Sequence, residues 1–364
     1  MKIKVLVISN YREYDTVRPE AEVFIGLAKL GFEITIMTYG DSKYVDEFVG
    51  AGIRIIDFHP EKKFNKKEIA KIREELIKGK YQILHLFNSI STINGIQAAK
   101  GLSVKVVLYR GFIGHVHWYD PVSYLKYLHP RVDMIVCNAS GVEENFKRQL
   151  FFRKEKAVTI IKGHNIEWYN GYTPLDLHKE FQIPHDAFIV VNVANNRRMK
   201  GIKYLLNAMN FLPEGRRIYL LIVGSNMDTW ENLKIINKSK YKEHIILTGY
   251  RKDALNIVAA GNVFILPSIS GESLNKSVLK ALALGKPAII TNIIGNRDLI
   301  IQGDNGLIVP TRNSEELAKA ILYLYENPEL CKSMGINARK YVDTKLNLKN
   351  AIIQTKELYE RLSN

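Results

Sequence analysis

Short runs of valine, isoleucine and leucine alternate with amphipathic helical stretches from the first residues onward. A strand, helix, strand series of this kind builds parallel βαβ units and little else. In the first half the runs read KIKVLVIS, EITIMTYG, IRIIDF, YQILHLFN, VKVVLYRG, DMIVCNAS and AVTIIKG. They are nearly continuously apolar, as strands are when both faces of a doubly wound sheet are covered. RPEAEVFIGLAKLG shows the helical counterpart: Pro19 suits a first turn, Val23, Leu27 and Leu30 form an apolar stripe, and Gly31 ends it. From Asn165 to Asp186 the pattern lapses, with Gly171, Pro174 and Pro184 breaking any periodicity. It restarts as AFIVVNVAN, RRIYLLIVGS, HIILTGY, NVFILPS, PAIITN and GLIVP. A chain of 364 residues exceeds one ordinary core, so two doubly wound α/β domains are expected, 1–168 and 169–345. From Ser314 the sequence is helical in pattern, and the last helix, 346–364, is expected to pack back on the first domain. Such sheets bind ligands outside the carboxyl ends of their strands, which directs the search to the loops there and to a cleft between two facing domains.

Composition narrows the function. Hydrophobic residues make up 46% and charged residues 24%, a globular balance. The start, MKIKVLVISN, lacks the apolar core and cleavage site of a signal peptide, and no run reaches the roughly 18 residues of a membrane span, so a cytoplasmic protein is expected. Cys137 and Cys331 lie far apart without metal-ligand spacing and read as buried thiols; no metal is expected. The net charge of +15 admits nucleic acid, anionic lipid or a phosphorylated ligand. EKKFNKKEIAKIREELIKGK, from Glu61 to Lys80, sets Ile69, Ile72 and Leu76 at helical spacing under a cationic face. That face is either simply solvated or a peripheral contact with an anionic membrane surface. Nucleic acid is not expected, because no recognition motif for it is visible.

The loops of the second half are rich in phosphate-binding parts. VNVANNRRMKGIKYLLNAM is a strand, a loop with Arg197, Arg198 and Lys200, then Gly201 and a helix; cations beside a helix N-terminus suit a diphosphate. Gly224 ends LLIVGS and permits close backbone approach to a ligand, while Tyr250 and Arg251 follow another strand. In SGESLNKSVLKALALGKPAIIT, Gly271 allows an unusual turn and Ser273 or Asn275 can cap a helix running to Leu284. Glu272 stands at the mouth of that helix and Lys280 about two turns inside it.

With these motifs in this order and spacing, joined by GDNGLIVP, the second domain resembles the retaining glycosyltransferases called family four, which have the GT-B fold of two Rossmann-like domains facing across a cleft. The first domain agrees in layout and more loosely in sequence. The resemblance implies a nucleoside diphosphate sugar as donor substrate, with no other cofactor, bound by the second domain, and a saccharide or lipid-linked acceptor on the first. It implies that Lys200 holds the donor diphosphate with Arg197 beside it, that Glu272 lies against the transferred sugar, and that Tyr250 and Arg251 neighbour the base. Gly224, Ser273, Asn275, Lys276, Ser277 and Lys280 complete the expected donor contacts. The activity implied is that of a hexosyltransferase serving polysaccharide or lipopolysaccharide synthesis; a peripheral place on the inner face of the membrane is the further expectation that the basic stretch admits for a cytoplasmic enzyme.

Three departures from the pattern matter. Glu272 is the first acid of a Glu-x7-Glu motif whose second acid accepts ribose hydroxyls; here that position is Lys280, which has three donors and no acceptor. Either donor affinity falls, or Lys280 meets an extra negative group, or it pairs with an acid of the other domain; the first is favoured. The family's arginine five residues before Lys200 is Asn195, leaving Arg197 as substitute. A first-domain glycine pair is replaced by DTVRPEAE, where Arg18 can supply the anion contact. On the same side, LYRGFIGHVHWYDP offers Arg110, Gly111 and His115 as acceptor or phosphate contacts. The alternative is a GT-B nucleotide-binding or partner protein that lost turnover through Lys280. A dehydrogenase is disfavoured because no strand leads into G-x-G-x-x-G. A sugar-nucleotide epimerase of GT-B shape is closer, but Glu272 to Pro310 looks more like the transferase.

Overall fold

Each of those apolar runs becomes a strand in the computed structural model, which describes residues 2–150 and 153–364. The first seven are β1 (Lys4–Ile8), β2 (Glu33–Thr38), β3 (Arg54–Asp57), β4 (Ile83–Leu86), β5 (Lys105–Arg110), β6 (Met134–Cys137) and β7 (Ala157–Thr159). They form one parallel sheet in the order β3-β2-β1-β4-β5-β6-β7. In β1, Val5 and Val7 enter the core on one face while Leu6 and Ile8 enter the core on the other, which is why the strand carries no polar alternation. The second sheet is β8 (Phe188–Val193), β9 (Ile218–Val223), β10 (Ile245–Gly249), β11 (Val263–Leu266), β12 (Ala288–Thr291) and β13 (Gly306–Val309), parallel in the order β10-β9-β8-β11-β12-β13. In each sheet the strand order reverses beside the first strand, and ligand crevices open at the carboxyl ends near such reversals.

The chain divides into two compact units, Met1–His164 with Leu346–Asn364, and Asn165–Lys345. The change of unit falls after His164 rather than after residue 168, because Ile166–Tyr169 winds into a short 3-10 turn with Tyr169 buried in the second unit. Further along the same segment, Leu177–Phe181 is helical, capped by Asp176 on the Lys179 amide at 3.0 Å. The tail forms helices Ser314–Glu326, Pro328–Thr344 and Leu348–Ser363. The last lies in the first unit, where Ala351, Leu358 and Tyr359 join its core and the Tyr359 hydroxyl meets His85 Nδ1 at 2.6 Å.

The first helix corrects one local reading. It spans Tyr14–Lys29, since the Glu13 carbonyl already accepts the amides of Thr16 and Val17, and Pro19 therefore lies inside the helix instead of in its first turn. The basic stretch is helical over Lys66–Gly79, capped by Asn65, with Ile72 and Leu76 buried. Both cysteines are buried free thiols, and burial pushes Cys137 up to about 12 and Cys331 up to about 11. Among the described residues no helix is long and apolar enough to cross a membrane.

Candidate active site

The chemistry gathers at the carboxyl edge of the second sheet. The loops after β8 and β11 are tied by the Ile269 amide, which donates to the Met199 carbonyl at 2.7 Å. That tie brings Lys200 and Glu272 together: Lys200 Nζ lies 2.5 Å from Glu272 Oε1. The same oxygen accepts from Ser268 Oγ at 3.0 Å, and Oε2 accepts from Asn275 Nδ2 at 2.9 Å. Glu272 is only 9% exposed, so its charge is held by one cation and two neutral donors inside the protein. A Cβ on Gly295, in the loop after β12, would stand 2.0 Å from the Glu272 carbonyl oxygen; only glycine lets that backbone come so close.

Asn275 does two jobs. Its carboxamide oxygen caps the helix Lys276–Ala283 by accepting from the amides of Ser277 and Val278 and from Ser277 Oγ at 2.8 Å, and its nitrogen holds Glu272. The cap therefore already satisfies two first-turn amides of that helix. Ser273 is buried beside Glu272 in sequence, and Lys276 is exposed at the first turn. Lys280 is half-buried on the same helix, and among the described residues no carboxylate forms an ion pair with it or with the exposed Arg197. Lys200 has three donors and can hold Glu272 and a phosphate oxygen together. Among the described residues no group of three or more histidine, cysteine, aspartate or glutamate side chains is placed to hold a metal.

Two expected donor contacts are placed differently. Gly224, at φ 156°, would put a Cβ 1.8 Å from the Ala194 carbonyl oxygen, so the neighbouring strand end already requires a glycine there. Arg251 is bound by both nitrogens of its fork to Asp253 at 2.8 and 2.7 Å and by the third to Glu180. Those hydrogen bonds, Asp253 first, raise its pKa and fix it as a structural cation at the end of β10. Tyr250 beside it is 71% exposed.

In the first unit Arg110 is corrected as well. It is 3% exposed, donates to the carbonyls of Phe112 (2.9 Å) and Gly114, and lies over the Phe112 ring at 3.5 Å and the Tyr127 ring at 4.8 Å. It shapes the loop after β5 and is not presented to a phosphate. Gly111 follows it, with its carbonyl accepting from Asn138 Nδ2 at 3.4 Å. His115 is exposed at φ 57°, and Arg18 sits half-buried on the first helix, 5.8 Å from the Tyr14 ring centre.

Sequence reasoning missed Arg12, Tyr39 and His59, which form a column with Asn88 at the carboxyl ends of β1 to β4. Arg12 lies 3.7 Å over the Tyr39 ring, Tyr39 stacks on His59 with centroids 4.7 Å apart, and Asn88 Nδ2 meets His59 Nε2 at 2.8 Å. Asn88 spends its oxygen capping the helix Ser89–Ala98, so its nitrogen donates and His59 accepts, leaving the ring proton on Nδ1. Burial first, and then the charge of Arg12, push His59 down to about 4, which keeps it neutral. The signal available was positional: each residue stands within a few positions of a strand end.

Comparison with known proteins agrees with this geometry. Residues 175–341 match the family described as glycosyl transferases group 1, and residues 21–168 match glycosyltransferase family 4. An uncharacterized glycosyltransferase of Methanocaldococcus jannaschii is 28% identical over 253 residues, 66% of this chain and 61% of that one. The UDP-Gal:alpha-D-GlcNAc-diphosphoundecaprenol alpha-1,3-galactosyltransferase of Escherichia coli is 24% identical over 80% of this chain and 79% of its own. A solved glycosyltransferase from Rickettsia africae shares the fold with a TM-score of 0.81, at 22% identity over 99% of this chain and 98% of that one. The chain belongs to the GT-B fold glycosyltransferase superfamily. It is an enzyme that moves a sugar from a nucleoside diphosphate donor to an acceptor.

Proposed function

We propose that this glycosyltransferase is a retaining hexosyltransferase of family four, with the donor held by the second unit and a saccharide or lipid-linked acceptor by the first. The observation that carries the reading is the Lys200–Glu272 pair at the adjacent ends of β8 and β11, supported by Ser268 and Asn275. With donor bound, the Lys200 ammonium keeps one hydrogen bond to Glu272 and gives another to the diphosphate, with Arg197 at the same phosphates. As the bond from the sugar to the leaving oxygen breaks, negative charge grows on the diphosphate, and these fixed cations stabilise it most at that point. The departing phosphate oxygen takes the proton of the acceptor hydroxyl, which bonds to the sugar on the face the phosphate leaves. The Glu272 carboxylate supports the positive charge developing at the reacting carbon. The galactosyltransferase of E. coli is named for a diphosphoundecaprenol acceptor; by analogy a cytoplasmic enzyme peripheral on the inner face of a membrane, in polysaccharide or lipopolysaccharide synthesis, is proposed here.

Lys280 supports a second reading, a donor-binding protein of reduced turnover, since the position of a ribose acceptor carries a cation. Calorimetric and thermal-shift titration with uridine, guanosine, adenosine and thymidine diphosphates and their sugars, on the native chain and on Lys280→Glu, separates the two. Tight binding of one nucleotide by the native chain, with transfer or slow donor hydrolysis, supports the transferase. Binding seen only in Lys280→Glu moves the second reading ahead.

A further inference from the structure

A second concavity lies at the opposite end of the second sheet from Lys200 and Glu272. Phe188 opens β8, Asn262 stands directly before β11 and Pro287 directly before β12, so the edge they share is the amino edge. Against it the helix Pro328–Thr344 encloses a cavity of about 740 Å³, within the roughly 300–1,000 Å³ of small-molecule sites. Every residue that lines it belongs to the second unit. The helical wall is fixed at three points. Cys331 Sγ donates to the Asn262 carbonyl at 3.7 Å, and Arg339 donates to the Ala283 carbonyl and to Asn170 Oδ1, each at 2.7 Å. Gly335 meets the turn before β12 so closely that a Cβ on it would stand 2.3 Å from the Gly285 carbonyl oxygen. The cavity is thus built into the fold, as ligand sites usually are.

Its lining is apolar with an excess of positive charge. Ile166, Pro287, Pro328 and Ile336 contribute apolar surface, and Ile336 is 64% exposed. Four cations, Lys286, Lys332, Arg339 and Lys340, stand among the lining residues with two acids, Glu329 and Asp343. Among the described residues no carboxylate forms an ion pair with Lys286, Lys332 or Lys340. Lys332 and Lys340 are exposed, as surface lysines ordinarily are. Lys286 is different. It is half-buried in the turn that follows the helix Lys276–Ala283, and among the described residues its ammonium makes no hydrogen bond, yet the nitrogen is not sealed from solvent. Burial disfavours the charge and pulls the pKa of Lys286 down. A cation held partly inside the protein without an acceptor is costly, and an anion entering the cavity offsets that cost.

We infer that this cavity is a second small-molecule site of the enzyme, taking an organic anion whose carboxylate or phosphate meets Lys286 and whose apolar body lies along Pro287, Pro328 and Ile336. The inference does not depend on the reading of the donor site. The site stands at the end of the helix Lys276–Ala283, whose start, through Asn275, holds Glu272.

The test titrates 1-naphthyl phosphate, 1-naphthoate, neutral 1-naphthol and inorganic phosphate calorimetrically into the native chain and into Lys286→Met, which keeps an apolar stem. At least one aromatic anion is expected to bind with a Kd below about 1 mM, and naphthol and inorganic phosphate about tenfold or more weakly. Lys286→Met is expected to weaken the anion about tenfold, while Lys286→Arg keeps it. Comparing the two aromatic anions tells a phosphate site from a carboxylate site. Lys200→Ala is expected to leave their binding in place, as a site at the other edge of the sheet requires. Absence of binding by both anions, equal binding by naphthol, or binding that Lys286→Met leaves unchanged or Lys200→Ala abolishes overturns the inference. Thermal melts and nucleotide titrations are run on every variant. A Lys286→Met chain that melts and binds nucleotide like the native one has lost the anion for want of the ammonium, and failure of nucleotide to bind any form counts against the transferase reading alone.

Discussion

Among the described residues each unit holds one largely buried lysine–glutamate pair, and the two differ in what surrounds them. In the first unit Lys162 Nζ lies 2.7 Å from Glu20 Oε2, Ser9 Oγ donates to Oε1 at 2.6 Å, and the ammonium sits 4.0 Å from the Tyr109 ring centre. Glu20 stands on the first helix, Ser9 directly after β1 and Lys162 in the loop after β7, so the pair fastens that helix to segments that follow two strands. Burial disfavours the charge on Lys162, but Glu20 and then Tyr109 outweigh it and raise its pKa. In the second unit Lys200 ends a 3-10 turn and Glu272 lies on a loop, both outside the strands, where an incoming anion can compete for the cation without disturbing the sheet. The same two side chains therefore brace a helix in one unit, and in the other stand at the site proposed for the donor diphosphate.

Breaking the first pair is expected to give the larger effect. Lys162→Met leaves Glu20 buried with a single donor and is expected to cost about 3–5 kcal/mol of stability by denaturant melts; a loss under about 1 kcal/mol would erase the contrast. Glu20→Leu/Lys162→Met removes both charges and should regain most of that loss. Lys200→Ala is expected to lower transfer about 10²–10³-fold, with a smaller stability cost, because Glu272 keeps Ser268 and Asn275. If Lys200→Ala instead melts as early as Lys162→Met, the second pair is structural too.

Acid sharpens the comparison further. Burial and then the charge of Lys162 push His85 down to about 3, whereas an unfolded histidine takes its proton near 6.5. Between those values the unfolded chain binds more protons, so the stability His85 contributes is whole above about pH 6.5 and drains as pH falls toward 3, at up to about 1.4 kcal/mol per pH unit. Melts from pH 7 to 5 should show this slope, and His85→Phe should flatten it; an unchanged slope would place the acid sensitivity elsewhere. The smallest effect is expected from Asn275→Ser, which keeps a cap acceptor and removes the donor to Glu272: a stability change within about 1 kcal/mol and a several-fold drop in transfer.

What could be read from the sequence follows from how local each signal is. Strands buried on both faces announce themselves, and β1 to β13 all stood out as apolar runs. The cap at Asn275 was legible because its partners lie two and three residues away. Family resemblance put Lys200 and Glu272 at one site, but their direct contact, across 72 positions, was not legible. Glu20 and Lys162, 142 positions apart, left no trace at all. Arg110 shows the opposite error: a cation at a strand end looks like an anion site until the carbonyls that already hold it are seen. The first helix began earlier than Pro19 suggested because the Glu13 carbonyl, six residues before the proline, already starts the turn.

The last helix carries a consequence for how the protein is made. Leu348–Ser363 supplies Ala351, Leu358 and Tyr359 to the core of the first unit, yet it follows the whole of the second unit in the chain. On the ribosome, where synthesis runs at about 5–20 residues per second, the unit that emerges first must wait for the final residues before its sheet is fully covered. The second unit, continuous in sequence, can finish folding earlier. The domain begun first is thus completed last, and a chain cut short near its end leaves its oldest part unfinished.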